Sequence, residues 1–179
     1  MEPSRPTPRI ERTQQALLHA LLELIVEQGY DRTTVDDILR RADVGRTAFY
    51  THFENKQDLL VGRFSAIPWI RRGPDGSFDT TFLFGHLADE RDLVTALRGS
   101  PAFDVAVARL QSSLLATFTR MLEAHSAAAP SDLNRQLTAQ ALTGALIQLV
   151  RWWIEAGMPE SPHVMSNWFA LASGRLLPA

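Results

Sequence analysis

Hydrogen-bond donors cluster on one short predicted helix within Thr33–Lys56, a segment that reads TTVDDILRRADVGRTAFYTHFENK. In this helix Phe49 and Phe53 lie four residues apart, so both rings are expected to face inward. The residues left on the outer surface are all donors: Arg46, Thr47, Tyr50, Thr51 and His52. Such donors match phosphate oxygens and base edges, and a single helix fits the DNA major groove. The spacing therefore predicts a surface that contacts DNA.

A second short helix must precede this one and hold it in place. Thr34 is placed as its N-cap, with Asp37 three residues later in a near capping-box arrangement. Apolar residues then recur at helical spacing: Val35, Ile38, Leu39 and Ala42. Asp43-Val44-Gly45 forms a turn, so the two helices predict a helix-turn-helix unit over about residues 34–53. Because helices this short are marginal in water, the unit must pack on the longer helix predicted over Ile10–Gln28.

Two cations of this segment have distinct predicted roles. Arg46 heads the second helix, where recognition helices contact bases, and its guanidinium can grip guanine O6 and N7. Lys56, the one lysine of the sequence, lies in the first turn of the next helix, where its charge and the backbone N–H groups would hold a phosphate. Each residue alone would suit an ordinary solvated face, and only their joint spacing favours DNA contact.

The run from Ile10 to Leu60 resembles the DNA-binding domain of the TetR family of bacterial transcriptional regulators. The shared features follow in order along the chain: Gln28-Gly29-Tyr30, Thr33-Thr34, Ile38, Ala42-Asp43-Val44, Phe49-Tyr50, His52-Phe53, Asn55-Lys56 and Leu59-Leu60. The resemblance implies that Arg46 and Thr47 approach bases, while the DNA backbone is contacted by Thr34, Tyr50, His52 and Lys56. The complete set of predicted DNA-contact residues is Thr33, Thr34, Arg46, Thr47, Tyr50, Thr51, His52 and Lys56.

Three residues depart from the family pattern, and the charge balance is not basic. Asp43 stands where the family usually has a turn glycine, Gly45 replaces the usual Ser or Thr cap, and Ala48 stands where threonine is common. Aspartate tolerates left-handed backbone better than most residues, and a glycine cap weakens a helix only slightly. Residues 1–64 hold nine basic and ten acidic side chains, so DNA affinity must depend on where the charges lie.

Helical periodicity continues through the rest of the 179 residues without sustained period-2 alternation. Helices are predicted around 82–87, 89–98, 101–125, 131–155 and 161–176, with a loop over Arg71–Asp79. The predicted fold is all-α, with an N-terminal three-helix helix-turn-helix DNA-binding domain and a C-terminal helical ligand-binding and dimerisation domain. The expected boundaries are a disordered leader over 1–8, the DNA-binding domain over 9–55 and the helical domain over 56–179.

In Ala141–Ile154 apolar residues point in every direction, which is typical of a helix buried on more than one side. Packing one side on its own domain leaves an apolar strip. A homodimer in which the last two helices and their copies form a four-helix bundle would cover that strip, and the TetR resemblance implies the same interface. The predicted interface residues are Leu142, Leu146, Leu149, Trp153, Val164, Trp168 and Phe169. For Trp153 and Trp168 a purely internal core role is the alternative.

The resemblance also implies a small-molecule effector that enters a cavity among the middle helices and changes the separation of the two reading heads. The candidate lining residues are Phe82, Phe84, His86, Phe103, Phe118, Met121, His125, Gln148 and Trp152. Phe and Met at helical spacing are more often plain core, which is the alternative for this set. The stretch RWWIEAGMPESP is similar, over a short span, to dihydroxyacetone-kinase-type TetR regulators.

Other classes of function find no support in the sequence. It has no cysteine, its five histidines form no HxxxH or HExxH pair, and neither a glycine-rich phosphate loop nor GxSxG occurs. We therefore expect that the protein is not an enzyme and that it binds neither a metal ion nor a cofactor. No secretory signal and no run long enough for a membrane span is visible, so a cytoplasmic protein without membrane contact is expected.

These expectations combine into one function. A homodimeric repressor would place two recognition helices on a palindromic operator in double-stranded DNA, with half-sites about 34–36 Å apart, until an effector releases it. One alternative is a helical protein-interaction or ligand-carrier module with a non-functional helix-turn-helix, which the acidic balance and Ala48 favour. The other alternative is a TetR-type co-activator.

Overall fold

The computed structural model describes residues 8–62, 69–73, 76–124 and 132–174. These residues form nine helices and one two-stranded ribbon, which confirms the all-α fold class. The described residues within Met1–Arg63 and Thr95–Ala106 make one compact unit, and those within Phe64–Val94 and Val107–Ala179 make a second. The elements are α1 (Pro8–Gln28), α2 (Val35–Ala42), α3 (Arg46–Tyr50), α4 (Lys56–Gly62), β1 (Arg71–Arg72), β2 (Phe78–Asp79), α5 (Thr81–Asp89), α6 (Arg91–Leu97), α7 (Pro101–Ala124), α8 (Asp132–Glu155) and α9 (Pro162–Gly174).

In the first unit α1 packs on α2 and α4 through one apolar stripe. Leu17, Leu21 and Ile25 recur at helical spacing along α1, and each is fully buried. The helix ends at Gln28 because Gly29 takes φ +86°, a left-handed conformation that glycine adopts at little cost. Gly29 is therefore the residue that terminates the first helix.

Helix α2 has the predicted cap at its start. The Thr34 hydroxyl oxygen accepts the Asp37 N–H at 3.2 Å, and the Asp37 carboxylate accepts the Thr34 N–H at 3.0 Å and the Thr34 hydroxyl at 2.6 Å. The bonds from Thr34, first the hydroxyl and then the N–H, lower the pKa of Asp37 because they favour the charged carboxylate. At the other end Asp43 takes φ 53°, and its N–H bonds the Leu39 carbonyl, so aspartate holds a left-handed C-cap.

The second unit is built around aromatic rings that meet edge to face. Trp153 of α8 is fully buried, and Phe84 of α5 lies against it with ring centroids 5.2 Å apart and ring planes at 89°. Phe118 of α7 makes an edge-to-face contact with Phe78 at 4.9 Å and a tilted contact with Phe169 of α9 at 6.3 Å. Edge-to-face pairs contribute about 0.5–1.5 kcal/mol beyond area burial, so these rings fix how the helices of the unit pack.

A short antiparallel ribbon lies within the predicted loop Arg71–Asp79. β1 pairs with β2 in the register Arg71↔Asp79 and Arg72↔Phe78. Each strand has two residues, so no alternating pattern could have revealed it. The prediction of a loop without strands was wrong here.

Several predicted boundaries differ from those of the structure. Residues 1–7 of the predicted leader lie outside the described residues, and Pro8, its last residue, is already part of α1. The predicted ends of the helices over 101–125 and 161–176 also lie outside the described residues. The expected domain boundary after residue 55 falls inside the first unit, since α4 packs on α1. Helix α3 ends at Tyr50 rather than Phe53, because the His52 N–H bonds the Phe49 carbonyl three residues back at 3.0 Å and tightens the last turn.

Asp79 links the ribbon to α5 and α9. Its Oδ1 accepts the Thr81 N–H at 2.9 Å and the hydroxyl of the buried Ser166 at 3.4 Å. The Ser166 hydroxyl oxygen in turn accepts the Thr80 N–H at 3.0 Å, at the start of α5. Hydrogen bonds from the Thr81 side chain, and then from its N–H, lower the pKa of the Asp79 carboxyl below its ordinary value of 3.8.

We expect Thr34→Ala to reduce the free energy of unfolding by about 1 kcal/mol, because it removes the hydroxyl that accepts the Asp37 N–H and donates to the Asp37 carboxylate at the start of α2. Urea unfolding followed by circular dichroism measures the loss. Thr47→Ala makes the same change at an exposed α3 position and is expected to shift stability by less than about 0.5 kcal/mol. Equal losses in the two variants would contradict a special role for the cap.

The Asp79 carboxylate is expected to make stability depend on pH. A carboxyl whose pKa is lower in the folded chain stabilises the fold above its unfolded pKa, and this stabilisation disappears as pH falls through the folded pKa. Asp79→Asn should therefore flatten the decline in unfolding free energy below about pH 4. Urea unfolding over a pH series tests this, with Asp89→Asn at the far end of α5 as the matched control. An Asp79→Asn curve parallel to that of the unmodified chain would rule out this contribution.

Candidate nucleic-acid interface

Helix α3 is oriented by one buried ring. Phe49 is 0% exposed, and its ring centroid lies 5.2 Å from that of Tyr50 and 5.8 Å from that of Phe53. The residue before the helix, Gly45, offers no side-chain cap. Because α3 has only five residues, it cannot be stable alone, and the buried ring determines its position.

Four of the predicted DNA-contact residues are exposed on the opposite side of α3 and its C-cap: Arg46, Thr47, Tyr50 and Thr51. The Arg46 side chain is 64% exposed and Tyr50 is 52% exposed. Their i, i+1, i+4 and i+5 spacing places them on one side of the helix. The Thr51 hydroxyl donates to the Thr47 carbonyl at 2.8 Å, so that donor is used within the helix. The structure thus brings together a guanidinium, a phenol and the Thr47 hydroxyl.

Arg46 is paired with a carboxylate across the turn. Its Nη2 lies 2.6 Å from Oδ1 of Asp36, which is in the first turn of α2. Both side chains are well exposed, at 64% and 60%, so water screens the pair and its contribution to stability is about 0–1 kcal/mol. This contact is not predictable from the sequence, because a separation of ten residues across a turn follows neither helical nor strand periodicity.

Three predicted contact residues are placed differently from expectation. Thr33 is 1% exposed and donates its hydroxyl to the Gly29 carbonyl at 2.9 Å, so its predicted DNA contact was wrong. Thr34 is exposed, but its hydroxyl is engaged with Asp37 in the capping box. His52 is half-buried and lies beyond the end of α3.

Lys56 has a structural role that its position in the sequence does not predict. Its Nζ donates to the carbonyls of Tyr30 and Thr33, both at 2.7 Å, and lies 4.2 Å from the Tyr30 ring centroid. The ammonium thereby ties the start of α4 to the loop between α1 and α2. Partial burial lowers the pKa of Lys56, because desolvation disfavours the charged form. Two of its three donors are used in this clamp, which leaves one for another acceptor.

The nine predicted effector-pocket residues do not form one wall. Phe84 and Phe118 are fully buried in the ring contacts of the second unit. Three members of the set are exposed: Phe82, Gln148 and Trp152. Two are half-buried: His86 and Met121. Phe103 belongs to the first unit, and His125 lies outside the described residues. The prediction of a shared lining is therefore corrected.

The predicted dimer-interface residues divide between core and surface. Four of them are at most 2% exposed and pack inside a single chain: Leu142, Leu146, Trp153 and Phe169. A second chain cannot reach these side chains, so their prediction as interface residues was wrong. Leu149 is half-buried, whereas Val164 and Trp168 are 47% and 60% exposed. Other large apolar side chains of the same two helices are also exposed: Leu133, Leu137, Trp152 and Leu171.

The chemistry offered by the described surface of α3 is hydrogen-bond donation.

Within the described residues, no group of three or more His, Asp or Glu side chains is arranged to hold a metal ion. None of the described helices combines the length and apolarity that a membrane crossing requires.

Two family profiles match the chain. The profile described as bacterial regulatory proteins of the tetR family matches residues 17–62, which include α2, α3 and α4. The profile described as a transcriptional regulator C-terminal region matches residues 80–171, which is just over half of the chain. Neither describes an enzyme.

Individual relatives are similar in sequence over part of the chain and in fold over nearly the whole chain. An uncharacterized HTH-type transcriptional regulator, YdeS of Bacillus subtilis, is 38% identical over 64 residues, which cover 36% of this chain and 32% of YdeS. The match thus spans only about a third of that relative's length. NalD, the secondary repressor of the MexAB-OprM multidrug efflux pump in Pseudomonas aeruginosa, superposes with a TM-score of 0.63 at 20% identity, over 96% of this chain and 98% of NalD.

A further solved structure bears on the weaker resemblance noted in the C-terminal part. The dihydroxyacetone kinase operon activator DhaS superposes with a TM-score of 0.58 at 18% identity, over 92% of this chain and 93% of DhaS. At such identities the likeness shows the fold alone. The two profile matches include Thr34 of the capping box and Trp153 of the aromatic core, and the second spans more than half of the chain. The chain therefore belongs to the TetR family of bacterial transcriptional regulators.

Proposed function

We propose that the chain is a homodimeric repressor that binds a palindromic operator through α3 and leaves it when a small molecule binds the second unit. The observation that carries the proposal is the orientation of α3, with the Phe49 ring fully buried and the Arg46 guanidinium 64% exposed. NalD, which shares this fold, is described as a repressor, so repression is the first candidate. DhaS is described as an activator, so co-activation is the second candidate.

Arg46 is the residue proposed to read a base. It is the first residue of α3, and the N-terminal residues of recognition helices contact base edges in the major groove. A guanidinium matches guanine O6 and N7 with two parallel hydrogen bonds, which discriminate against other bases by about 1–3 kcal/mol. The Thr47 hydroxyl and the Tyr50 phenol lie on the same side and suit phosphate oxygens, which fix the register of the helix on DNA.

Lys56 supports this surface through its clamp. By holding the carbonyls of Tyr30 and Thr33, its ammonium positions the loop that leads into α2. The third donor is proposed to contact a phosphate at the start of α4, where the Asn55 side chain already accepts the N–H groups of Gln57 and Asp58. One residue then serves both the fold of the first unit and its contact with DNA.

The exposed apolar faces of α8 and α9 are the proposed dimer interface. On α8 the exposed positions Leu137, Ala141, Gly144, Gln148 and Trp152 follow helical spacing, and on α9 Val164, Trp168 and Leu171 do the same. Two helices and their two-fold copies can cover such faces as a four-helix bundle. Trp152 and Trp168 are the proposed anchors, since large aromatic residues carry much of the energy of protein interfaces.

In a two-fold dimer the α3 helices of the two chains can bind the same DNA duplex. Two copies related by a two-fold axis present two recognition helices to successive major grooves, about 34–36 Å apart, when the operator is palindromic. A signal that changes their separation would weaken binding to both half-sites together.

The proposed effector acts on the second unit, which carries aromatic side chains at its surface. Phe82 is 43% exposed and stacks on His86 with centroids 6.1 Å apart and ring planes at 6°. Trp69 lies 5.5 Å from the same imidazole, so three rings meet there. A flat aromatic ligand suits such a cluster. To weaken DNA binding 100-fold, a ligand must favour the DNA-incompetent arrangement by about 2.7 kcal/mol.

We expect Arg46→Ala to abolish a guanine preference at one position of each half-site, at a cost of about 1–3 kcal/mol there. Duplexes enriched from a randomised library by the unmodified chain supply the operator for mobility-shift titrations. Arg32→Ala removes the same charge from the loop before α2 and should leave that base preference unchanged. If the unmodified chain enriches no sequence at moderate salt, the regulator proposal is wrong and the interaction-module alternative is favoured.

We expect Trp168→Glu to convert the dimer to monomers, because a carboxylate would be buried in an apolar interface. Loss of an interface anchor weakens association by at least about 30-fold, which sedimentation velocity over a concentration series detects. Val26→Glu makes the same change at an exposed apolar position of α1 and should leave the association constant unaltered. A monomeric unmodified chain at micromolar concentration would contradict the proposed interface.

A further inference from the structure

We propose that Asp36 is a positioning residue that sets the specificity of Arg46, by holding one edge of its guanidinium and by repelling phosphate. This inference rests on the proposed function, because it requires α3 to contact DNA. Nothing in the spacing of the sequence pointed to Asp36, and it becomes visible only through the contact between its carboxylate and Arg46.

The contact joins the starts of two helices. Asp36 lies in the first turn of α2 and Arg46 is the first residue of α3, with Oδ1 and Nη2 2.6 Å apart. The neighbouring Asp37 is occupied by the Thr34 cap and by Arg40 at 3.2 Å, so it serves α2 alone. Asp36 is thus the carboxylate of this turn that faces the predicted base reader.

The pairing leaves Arg46 able to read a base. A guanidinium has five donors, and the contact with Asp36 involves Nη2, so the remaining N–H groups can still meet two acceptors. An Arg side chain loses conformational entropy when binding holds it in one rotamer. Because Asp36 already restricts the Arg46 side chain in the free protein, less entropy is lost on binding DNA. Asp36 therefore favours the one guanidinium orientation in which its own oxygen remains a partner.

The same carboxylate opposes indiscriminate binding. If Arg46 turned towards a phosphate, it would leave Asp36, and an unpaired negative charge would remain close to the DNA backbone. Residues 1–64 carry nine basic and ten acidic side chains, so the first part of the chain has no excess of positive charge to mask that repulsion. Asp36 thus penalises phosphate contacts more than base contacts.

Four variants of the full chain, joined by Asp36→Glu in the sequencing experiment, separate this role from a general charge effect. Asp36→Asn removes the paired carboxylate, and Arg46→Gln removes its partner. The third variant combines both changes. Asp43→Asn is the matched control, since it removes an exposed carboxylate from the same helix-turn-helix and asparagine accepts the left-handed φ of 53°.

The probes are the duplex most enriched by the unmodified chain and the unselected randomised library, titrated in the same buffer over several salt concentrations. We expect Asp36→Asn to bind the unselected library roughly 3–10-fold more tightly and to lower discrimination between the probes by a similar factor. Asp43→Asn should strengthen binding to both probes alike, so the ratio of their dissociation constants stays constant. In the Arg46→Gln background, Asp36→Asn should no longer change that ratio.

Sequencing the pool that each variant enriches provides a readout that a merely structural role would not move. We expect Asp36→Asn to relax the preference at the base position that Arg46→Gln affects, and Asp36→Glu to restore it in part. The inference is overturned if Asp36→Asn and Asp43→Asn change discrimination equally, or if the effect persists without Arg46. If the unmodified chain enriches no duplex, the proposed function fails and this inference fails with it. If the unmodified chain enriches a duplex and Asp36→Asn enriches the same sequences with the same preference, this inference is wrong while the proposed function stands.

Discussion

Burial of the Phe49 ring is the constraint on which the nucleic-acid surface depends. Helix α3 has five residues and no side-chain cap, so its own backbone hydrogen bonds cannot hold it in one orientation. The ring is fully buried and fixes the rotation of the helix about its axis, which places Arg46 and Tyr50 outward. Removing a buried phenylalanine side chain from a core typically costs about 3–5 kcal/mol, several times what the surface pair of Arg46 and Asp36 contributes.

Features of the first unit that depend on neighbours in sequence were predictable. The capping box of Thr34 and Asp37 and the left-handed Gly29 follow from residue types a few positions apart, and the structure has both. The clamp of Lys56 was not predictable, because it joins residues 23 and 26 positions apart through backbone carbonyls that carry no sequence signal. Burial of Thr33 was not predicted for a related reason: its hydroxyl donates to the Gly29 carbonyl just after α1, a contact that residue type alone does not reveal.

Helix α8 shows where hydrophobic periodicity stops being informative. Apolar residues surround the helix, so the pattern predicts burial but gives no direction for it. The structure turns Trp153 inward against Phe84 and leaves its neighbour Trp152 about half exposed. Only tertiary packing distinguishes these adjacent residues. The same ambiguity explains why the predicted interface included core residues, and why the predicted pocket mixed buried rings with exposed side chains.

The four tryptophans divide into two environments, and this division has a spectroscopic consequence. Trp69 and Trp153 are at most 1% exposed, whereas Trp152 and Trp168 are 49% and 60% exposed. Indole emission moves to longer wavelength in water, so the intrinsic fluorescence of a single chain is the sum of a shielded pair and a hydrated pair. Melting of the core acts on the first pair and shifts emission to the red. Any surface that covers α8 and α9 acts on the second pair, shifts emission to the blue and protects it from dissolved quenchers.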